Sequence, residues 1–394
     1  MCYTKKVVTL QPENKTSSEM LNPFITKTYV SKELFCDRQK ELKMLLEYVE
    51  NGSNITFVSP RRIGKTGLIY RFFDEIRSLQ LPIDTYYVDI YSSASVADFN
   101  RLLSEAICYN SHKEQSLVKK FFRVLANVHP VLSFDAVSGA PQVSLSYQTE
   151  TEQIATMKNI LAFLESQPRR VLLAIDEFQQ IRNYEIANME ALLRTYIQPL
   201  RNVQFIFCGS RHHVMMDMFM SASRPFYAST RFMYLEKLDR AVYADFIRQK
   251  FVENGKNIDD EALEFILGYT ECYTFYTQTL CQSVYAASKR HATVEIAKQC
   301  AASIIKANEP IYLQYRTMLT PQQWKYLKAV AHEGVLTQPM SAQFTAKYGI
   351  GTASNSKRLL TTLIDKELIL ENVTVDKITY QVYDLFLRKY LEGI

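Results

Sequence analysis

Largely apolar runs alternate with amphipathic stretches along the chain up to residue 236. The runs at residues 54–58, 171–175 and 203–208 have the length of strands buried on both faces of a sheet, and residues 83–90 and 232–235 predict two more strands. The amphipathic stretches predict helices at residues 34–50, 67–79, 96–109, 114–128 and 211–220. Strands that alternate with helices predict an α/β domain with a parallel sheet covered on both faces.

The alternation is interrupted at residues 130–147, where two runs of alternating apolar and polar residues flank the turn residues Ser138-Gly139-Ala140-Pro141. Such runs around a turn predict a β-hairpin inserted into the α/β domain. The pattern does not decide between a purely structural hairpin and one that contacts a partner or a substrate.

The rest of the chain predicts two smaller units. Residues 237–318 form a helical block, which suggests a lid domain, with helices at 239–254, 259–269, 273–290 and 294–318. Residues 319–394 predict three helices and two short strands, the arrangement of a winged-helix domain, with helices at 322–332, 341–348 and 352–366 and strands at 369–370 and 378–382. The predicted division is therefore a flexible lead at 1–21, a sheet domain at 22–236, a lid and a winged helix.

The strand at 54–58 leads into the strongest chemical signal, Ser59-Pro60-Arg61-Arg62-Ile63-Gly64-Lys65-Thr66. Except for Ser59 in place of the first glycine, this is the P-loop pattern, in which loop amides and a helix N-terminus bind phosphates. Lys65 is expected to reach the β- and γ-phosphates, and the Thr66 hydroxyl to bind Mg²⁺. The predicted ATP contacts are Pro60, Arg61, Arg62, Ile63, Gly64, Lys65, Thr66 and Gly67. Arg61 and Arg62 have the alternatives of facing solvent or a neighbouring subunit.

Polar residues follow two other buried strands. Asp176 and Glu177 follow the run at 171–175, and Ser210 follows the run at 203–208. The carboxyl ends of parallel strands are where α/β sheets bind ligands. Asp176 is therefore the predicted Mg²⁺ ligand and Glu177 the general base that activates water. Ser210 is placed to sense the γ-phosphate or to orient that water. The alternative for the two carboxylates is an ordinary surface pair.

Composition limits the class of protein and its cellular compartment but does not indicate an activity. The chain has 394 residues, 47% hydrophobic and 22% charged, with a net charge of +5 that permits nucleic-acid contact without indicating it. Its seven cysteines lack metal-site or disulfide-framework spacing, which is typical of a reducing compartment. With neither a signal-peptide pattern nor a long apolar run, the expected location is the cytoplasm, without membrane contact.

Taken in order, these motifs resemble the archaeal-type AAA-like ATPases, near the STAND class of AAA+ P-loop NTPases. Residues 35–42, 60–66, 173–179 and 208–210 are similar to the family's F-x-x-R-x-x-E-L, P-R-R-x-G-K-T, D-E-[FI]-Q and G-S segments, and residues 380–391 to its terminal motif. The resemblance implies an ATP site with Walker A and Walker B motifs. It also implies that Phe35 and Arg38 lie near the adenine.

The chain departs from this family at two places. Residues 225–229 lack the arginine that many relatives carry there, so Arg224 and Arg231 are the candidates for an arginine finger, with a surface role as the alternative. Residues 272–276 contain neither the glycine nor the proline that many relatives have in the lid. These departures favour slow or regulated hydrolysis.

Three functions are compatible with these features. The first is a slow Mg²⁺-dependent ATPase that acts as a conformational switch, with ATP closing the lid and winged helix onto the sheet. The second is a nucleotide-binding module that interacts with a protein partner or a second copy and shows little turnover. The third is a DNA-binding regulator, for which Lys357 and Arg358 of the predicted recognition helix are the candidate contacts.

Overall fold

The structure is a computed structural model that describes residues 22–27, 29–59, 61–111, 115–373 and 377–393. The predicted lead at 1–21 and the P-loop residue Pro60 lie outside the described residues. The elements of the sheet domain, in chain order, are α1 (Gln39–Glu50), β1 (Ile55–Val58), α2 (Lys65–Ser78), β2 (Ile83–Asp89), α3 (Val96–Ser111), α4 (Gln115–Val124), β3 (Val131–Phe134), β4 (Pro141–Ser144), α5 (Glu150–Glu165), β5 (Arg170–Asp176), α6 (Met189–Ile197), β6 (Val203–Gly209), α7 (His212–Met220) and β7 (Arg231–Tyr234).

Five strands form one parallel sheet in the order β2-β5-β6-β1-β7. After β1 the chain crosses to β2 at one edge of the sheet and returns through β5 to β6. Strand β6 therefore lies between β5 and β1. In this register, Val58 at the end of β1 pairs with Gly209 of β6, and Ile175 of β5 pairs with Phe207. The carboxyl ends of these three strands therefore meet at one edge of the sheet.

The apolar runs explain why these strands are central. Neighbouring side chains point to opposite faces, so Leu172 packs with Ile206 in the core on one face, while Leu173 packs with Phe207 in the core on the other. All of β6 is buried, because helices cover both faces. The predicted α/β fold, with a parallel sheet as its centre, is confirmed.

The lid and the winged helix follow in sequence order. The lid consists of α8 (Arg240–Glu253), β8 (Asn257–Ile258), α9 (Asp260–Thr270), α10 (Thr274–Ala287), β9 (His291–Ala292) and α11 (Val294–Met318). The winged helix consists of α12 (Pro321–Glu333), α13 (Ala342–Lys347), α14 (Ala353–Asp365), β10 (Ile369–Val373), β11 (Ile378–Val382) and α15 (Leu385–Glu392). Its first helix begins with a capping box between Thr320 and Gln323, beside a proline at the first helical position.

The β-hairpin predicted at 130–147 is present, with Val131 paired to Ser144. Several predicted helix boundaries were wrong, among them that of the helix at 273–290, which ends at Ala287. The helix at 34–50 begins only at Gln39, because Asp37 and Arg38 adopt positive φ angles of 53° and 69°. The helix at 67–79 already begins at Lys65, and the helix at 114–128 ends at Val124, before a short 3-10 turn.

Two helices of the sheet domain, α5 and α6, were not predicted. No helix among the described residues is both long and apolar enough to cross a membrane.

Candidate nucleotide site

The P-loop joins β1 to α2 and lines a cleft of about 430 Å³ at the carboxyl edge of the sheet. Gly64 precedes the first helical residue with a φ angle of +98°, a conformation that side-chain-bearing residues rarely adopt. Arg62 also has a positive φ angle, 67°. This sharp turn ends at a helix N-terminus, which is a favourable place for phosphate.

The predicted Lys65, Thr66 and Asp176 meet at this cleft. Lys65 is 8% exposed, and its ammonium donates to the carbonyl of Gly209 on β6. The Thr66 hydroxyl donates to Oδ2 of Asp176 over 3.0 Å. Sheet order brings the three together, since Asp176 ends β5 and Gly209 ends β6.

Glu177 and Ser210 are also in direct contact. The Ser210 hydroxyl donates to Oε2 of Glu177 over 2.7 Å, and both residues line the cleft. Glu177 has a φ angle of +56°, which turns the chain sharply after β5. The Glu177 carboxylate is therefore a candidate general base. The Ser210 hydroxyl already donates its hydrogen bond to that carboxylate.

A tyrosine that no sequence motif indicates completes the Asp176 environment. The hydroxyl of Tyr87, on the neighbouring β2, donates to Oδ2 of Asp176 over 2.9 Å. Burial, and then the negative charges of Asp176 and Asp89, raise the pKa of Tyr87 far above its ordinary value. The phenol therefore stays protonated and remains a hydrogen-bond donor to the carboxylate.

The cleft has a more apolar end formed by the segment before α1. Phe35 packs within 3.4 Å of the position that a Cβ of Gly67 would occupy, and Leu238 lines the same wall. Burial raises the pKa of the Cys36 thiol there to about 12, so this cysteine is not a thiolate nucleophile. An apolar wall next to a phosphate loop suits a nucleobase, and the contact of Phe35 with the adenine stays a prediction.

Arg38 lines the cleft too, but its guanidinium is already engaged. It is 5% exposed, pairs with Glu41 over 2.6 Å and donates to the carbonyls of Glu236, over 2.8 Å, and Ile63, over 3.4 Å. Arg38 therefore fastens the P-loop to the linker that leaves β7. These contacts favour a positioning role for Arg38 over direct contact with a nucleotide.

The lid contributes the opposite side of the cleft through the N-terminus of α10. The Thr274 hydroxyl donates to the carbonyl of Ile63 over 2.9 Å, and the amide of Phe275 donates to the carbonyl of Arg62 over 3.1 Å. In the sequence, residues 272–276 stand out only for the missing glycine and proline. In the structure, Thr274 and Phe275 of this segment hold the backbone of the P-loop.

The winged helix reaches the P-loop through two carboxylates. Glu367 pairs with Arg61 over 2.7 Å and also with Arg211 over 2.8 Å. Asp384 pairs with Arg62. These partners lie about three hundred positions from the loop in sequence, and no local pattern indicates them. We refer to the pairs of Arg61 and Arg62 with Glu367 and Asp384 as the winged-helix contact.

Aromatic side chains reinforce the winged-helix contact. The Arg62 guanidinium lies 4.9 Å from the ring centre of Phe275 and 5.2 Å from that of Tyr276, and donates to the Tyr276 hydroxyl over 2.8 Å. That hydroxyl also accepts from the amide of Leu385 over 3.0 Å. In addition, the Tyr383 hydroxyl accepts from the Arg61 amide over 3.3 Å. Loop, lid and winged helix therefore share one interface beside the cleft.

The candidate arginine fingers lie elsewhere. Arg224 pairs with Asp217 over 2.5 Å and Glu190 over 3.5 Å, in a charge cluster that does not line the cleft. Arg231 begins β7 and pairs in register with Ile55, at the amino end of β1. Both therefore lie away from the phosphate loop of their own chain. A role for either arginine towards a neighbouring copy remains a prediction.

The donor set of the cleft fits a magnesium ion. The Asp176 carboxylate and the Thr66 hydroxyl are hard oxygen donors within 3.0 Å of each other, beside a phosphate loop. Mg²⁺ prefers one or two such protein oxygens together with phosphates and water. The residues therefore suit the predicted ion, which Thr66 and Asp176 would hold.

Two family models match this chain. The family model described as "ATPase domain predominantly from Archaea" matches residues 35–274, more than half of the chain. The chain belongs to this ATPase family. A second model, "Probable winged helix domain", matches residues 310–393. No curated protein matches the chain in sequence.

Solved structures of archaeal proteins have the same fold as this chain. The Walker-type ATPase of Pyrococcus abyssi superimposes with a TM-score of 0.64 at 17% identity, over 94% of this chain and 99% of that chain. The ORC2 protein of Aeropyrum pernix, in a structure of ADPNP and ADP complexes, gives 0.55 at 13% identity, over 94% and 96%. At these identities, the likeness shows a shared fold alone.

Proposed function

We propose that the protein is a Mg²⁺-dependent ATPase with slow turnover, whose nucleotide site is coupled to its winged helix. The observation that carries this proposal is the convergence of Lys65, Thr66, Asp176 and Glu177 on one cleft beneath a P-loop. Lys65 and the loop amides would bind the phosphates. Bound Mg²⁺ would neutralise phosphate charge, and Glu177 would take a proton from the attacking water.

The direct test is release of phosphate from ATP by the wild-type protein, measured together with ATP binding. Turnover that stops when EDTA removes Mg²⁺ supports the ATPase. ATP binding without turnover favours the alternative, a nucleotide-binding interaction module. A chain that binds no nucleotide contradicts both.

The winged-helix contact suggests how the site is coupled to the rest of the molecule. Each guanidinium of Arg61 and Arg62 is neutralised by a carboxylate of the winged helix. Phosphate brought to the loop competes for the same guanidinium groups, because charge-assisted pairs form with either anion. ATP binding would therefore oppose docking of the winged helix. The sequence-based hypothesis, in which ATP closes the winged helix onto the sheet, predicts the opposite effect of ATP on docking.

The double variant Glu367→Gln/Asp384→Asn distinguishes between these two effects of ATP. Asn keeps an oxygen at the position where Oδ1 of Asp384 caps α15 and removes only the charge. The double variant removes three partly exposed pairs, those of Glu367 with Arg61 and Arg211 and that of Asp384 with Arg62. Together they contribute about 1 kcal/mol, so ATP affinity is expected to rise about fivefold. Hydrogen exchange of residues 383–388 should also become faster. The measurements are calorimetric ATP binding and hydrogen exchange with mass spectrometry.

A control is Asp365→Asn, which removes one negative charge from an exposed carboxylate at the end of α14, close to Glu367 in sequence. It should leave both ATP affinity and hydrogen exchange unchanged. A fall in ATP affinity in the double variant would instead support closure by ATP.

DNA binding is a second candidate, favoured by one observation. Lys357 and Arg358 are exposed on α14, while Leu359, Leu360 and Leu363 hold the other side of that helix in the winged-helix core. Duplex binding that weakens steeply between about 50 and 200 mM salt, and weakens further in Lys357→Ala/Arg358→Ala, would support it. Absence of binding at the lower salt concentration would set it aside.

A further inference from the structure

Gln179 lies directly behind the candidate base, in the 3-10 segment Phe178–Asn183 that follows β5. The residue is 5% exposed, and its side chain turns back towards Glu177. The amide nitrogen Nε2 donates to Oε2 of Glu177 over 2.5 Å. A buried neutral amide that donates to a carboxylate forms a charge-assisted bond, which is stronger than a bond between two neutral groups.

The same carboxylate oxygen is held from a second strand. Oε2 of Glu177 also accepts from the Ser210 hydroxyl over 2.7 Å and is 3.4 Å from the Ser210 amide nitrogen. Gln179 follows β5 and Ser210 follows β6, so the carboxylate is fixed from two directions. Among the described residues, no hydrogen bond reaches Oε1 of Glu177. The carboxylate is thus anchored through one oxygen, while the other retains its capacity to accept a proton.

The position of the Gln179 side chain is unfavourable for its carbonyl oxygen. Oε1 of Gln179 is buried and has no hydrogen-bond partner among the described residues. It lies only 2.3 Å from the position that a Cβ of Gly209 would occupy, so the glycine permits the close approach. A buried acceptor without a partner is unfavourable, and an apolar side chain of similar length would avoid it. The amide is therefore better explained by the bond that Nε2 makes than by filling the space.

We infer that Gln179 is a positioning residue for hydrolysis, orienting Glu177 together with Ser210 so that the free carboxylate oxygen faces the attacking water. The inference rests on the proposed ATPase activity. Gln179 itself touches neither the nucleotide nor the water in this scheme. It acts through Glu177, in the way that a third group orients a catalytic base in other hydrolases.

The test is Gln179→Met, which keeps the length of the side chain and removes the donor. Loss of a hydrogen bond to a charged group should lower kcat by about 10- to 100-fold. KM for ATP should stay within about twofold, because the phosphate contacts are unchanged. Thermal stability should be equal to or higher than that of the wild type, since the unpaired oxygen is removed. If Gln179 only filled space, Gln179→Met would instead lower thermal stability and leave kcat unchanged.

Two comparisons make the test specific. Gln180→Met is the matched control, because the Gln180 amide donates instead to the carbonyl of Tyr91, over 2.6 Å, and its kcat should equal that of the wild type. In a Glu177→Gln background, Gln179→Met should cause no further loss of kcat. An equal loss in both backgrounds would overturn the inference, because Gln179 would then act independently of Glu177.

The outcomes separate this inference from the proposed function. A wild-type protein without turnover contradicts the ATPase itself. A wild-type protein with turnover, together with a Gln179→Met variant of equal kcat, overturns only the role of Gln179. Should Gln179→Met not fold, Ser210→Ala removes another donor to the same oxygen and should lower kcat without changing KM. Unchanged kcat in that variant would count against the inference equally.

Discussion

Glu177→Gln is expected to lower kcat for ATP by about 10³-fold while ATP affinity changes by less than about twofold. The substitution preserves shape, and the amide oxygen of the new side chain can still accept from Ser210 and Gln179. Only the ability to take a proton is lost. The phosphate-binding groups, including Lys65 and the loop amides, remain in place. The measurement is steady-state phosphate release combined with calorimetric ATP binding.

Glu185→Gln provides the matched control, since Glu185 is exposed and lies outside the cleft. Its kcat and its ATP affinity should both equal those of the wild type. If Glu177→Gln hydrolyses ATP at the wild-type rate, Glu177 is not the base and the reaction must be explained without it. If the variant loses ATP binding as well, the carboxylate supports the cleft rather than the chemistry.

The central sheet was predictable because its strands have a strong local pattern. The run around Leu172 is apolar without interruption and the run around Phe205 is interrupted only by Gln204, as expected of strands buried on both faces. Their ends carry the chemistry, so Asp176, Glu177 and Ser210 could be assigned to one edge of the sheet before any contact was known. Parallel pairing then brings them together without further information.

Helix α5 was missed although its start carries a signal. The Thr149 side chain accepts from the amide of Glu152, and a threonine followed three residues later by glutamate is a typical helix start. The apolar positions of this helix spread around it, with Met157, Ile160, Leu161 and Phe163 all buried, so the expected one-sided stripe is weak. Helix α6 gives no such cap, because Asn188 precedes it with a positive φ angle and no capping bond.

The winged-helix contact was beyond sequence reasoning for a different reason. Arg61 and Arg62 are ambiguous by themselves, since a guanidinium beside a P-loop can bind phosphate, solvent or another subunit. Their partners are Glu367 and Asp384, which tertiary folding alone brings to the loop. The role of Gln179 is also not evident from the sequence, although its partner Glu177 is close to it in the chain. The residue is visible in the D-E-F-Q segment, but only the return of its side chain to Glu177 reveals a role.

Lys65→Ala is expected to weaken ATP binding by about 10²-fold or more. Lys65 is a buried cation of the cleft beside the phosphate loop, and removing one partner of a buried charge pair costs about 2–5 kcal/mol. ADP should be affected in the same direction, because the lysine approaches the β-phosphate as well as the γ-phosphate. Adenosine should bind with unchanged affinity, because the base end of the cleft is lined by Phe35 and Leu238. Calorimetric titration with the three ligands measures the pattern.

The pattern across ligands is what identifies the lysine as a phosphate contact. Lys65 also donates to the carbonyl of Gly209, so a loss of adenosine binding equal to that of ATP would mean that the substitution has disturbed the cleft as a whole. Lys289→Ala, at an exposed position between α10 and β9, removes one positive charge far from the loop and should leave all three affinities unchanged. Wild-type ATP affinity in Lys65→Ala would contradict the P-loop assignment itself. The ATPase proposal would then fail at its first step, since the same lysine is required before Glu177 has a phosphate to act upon.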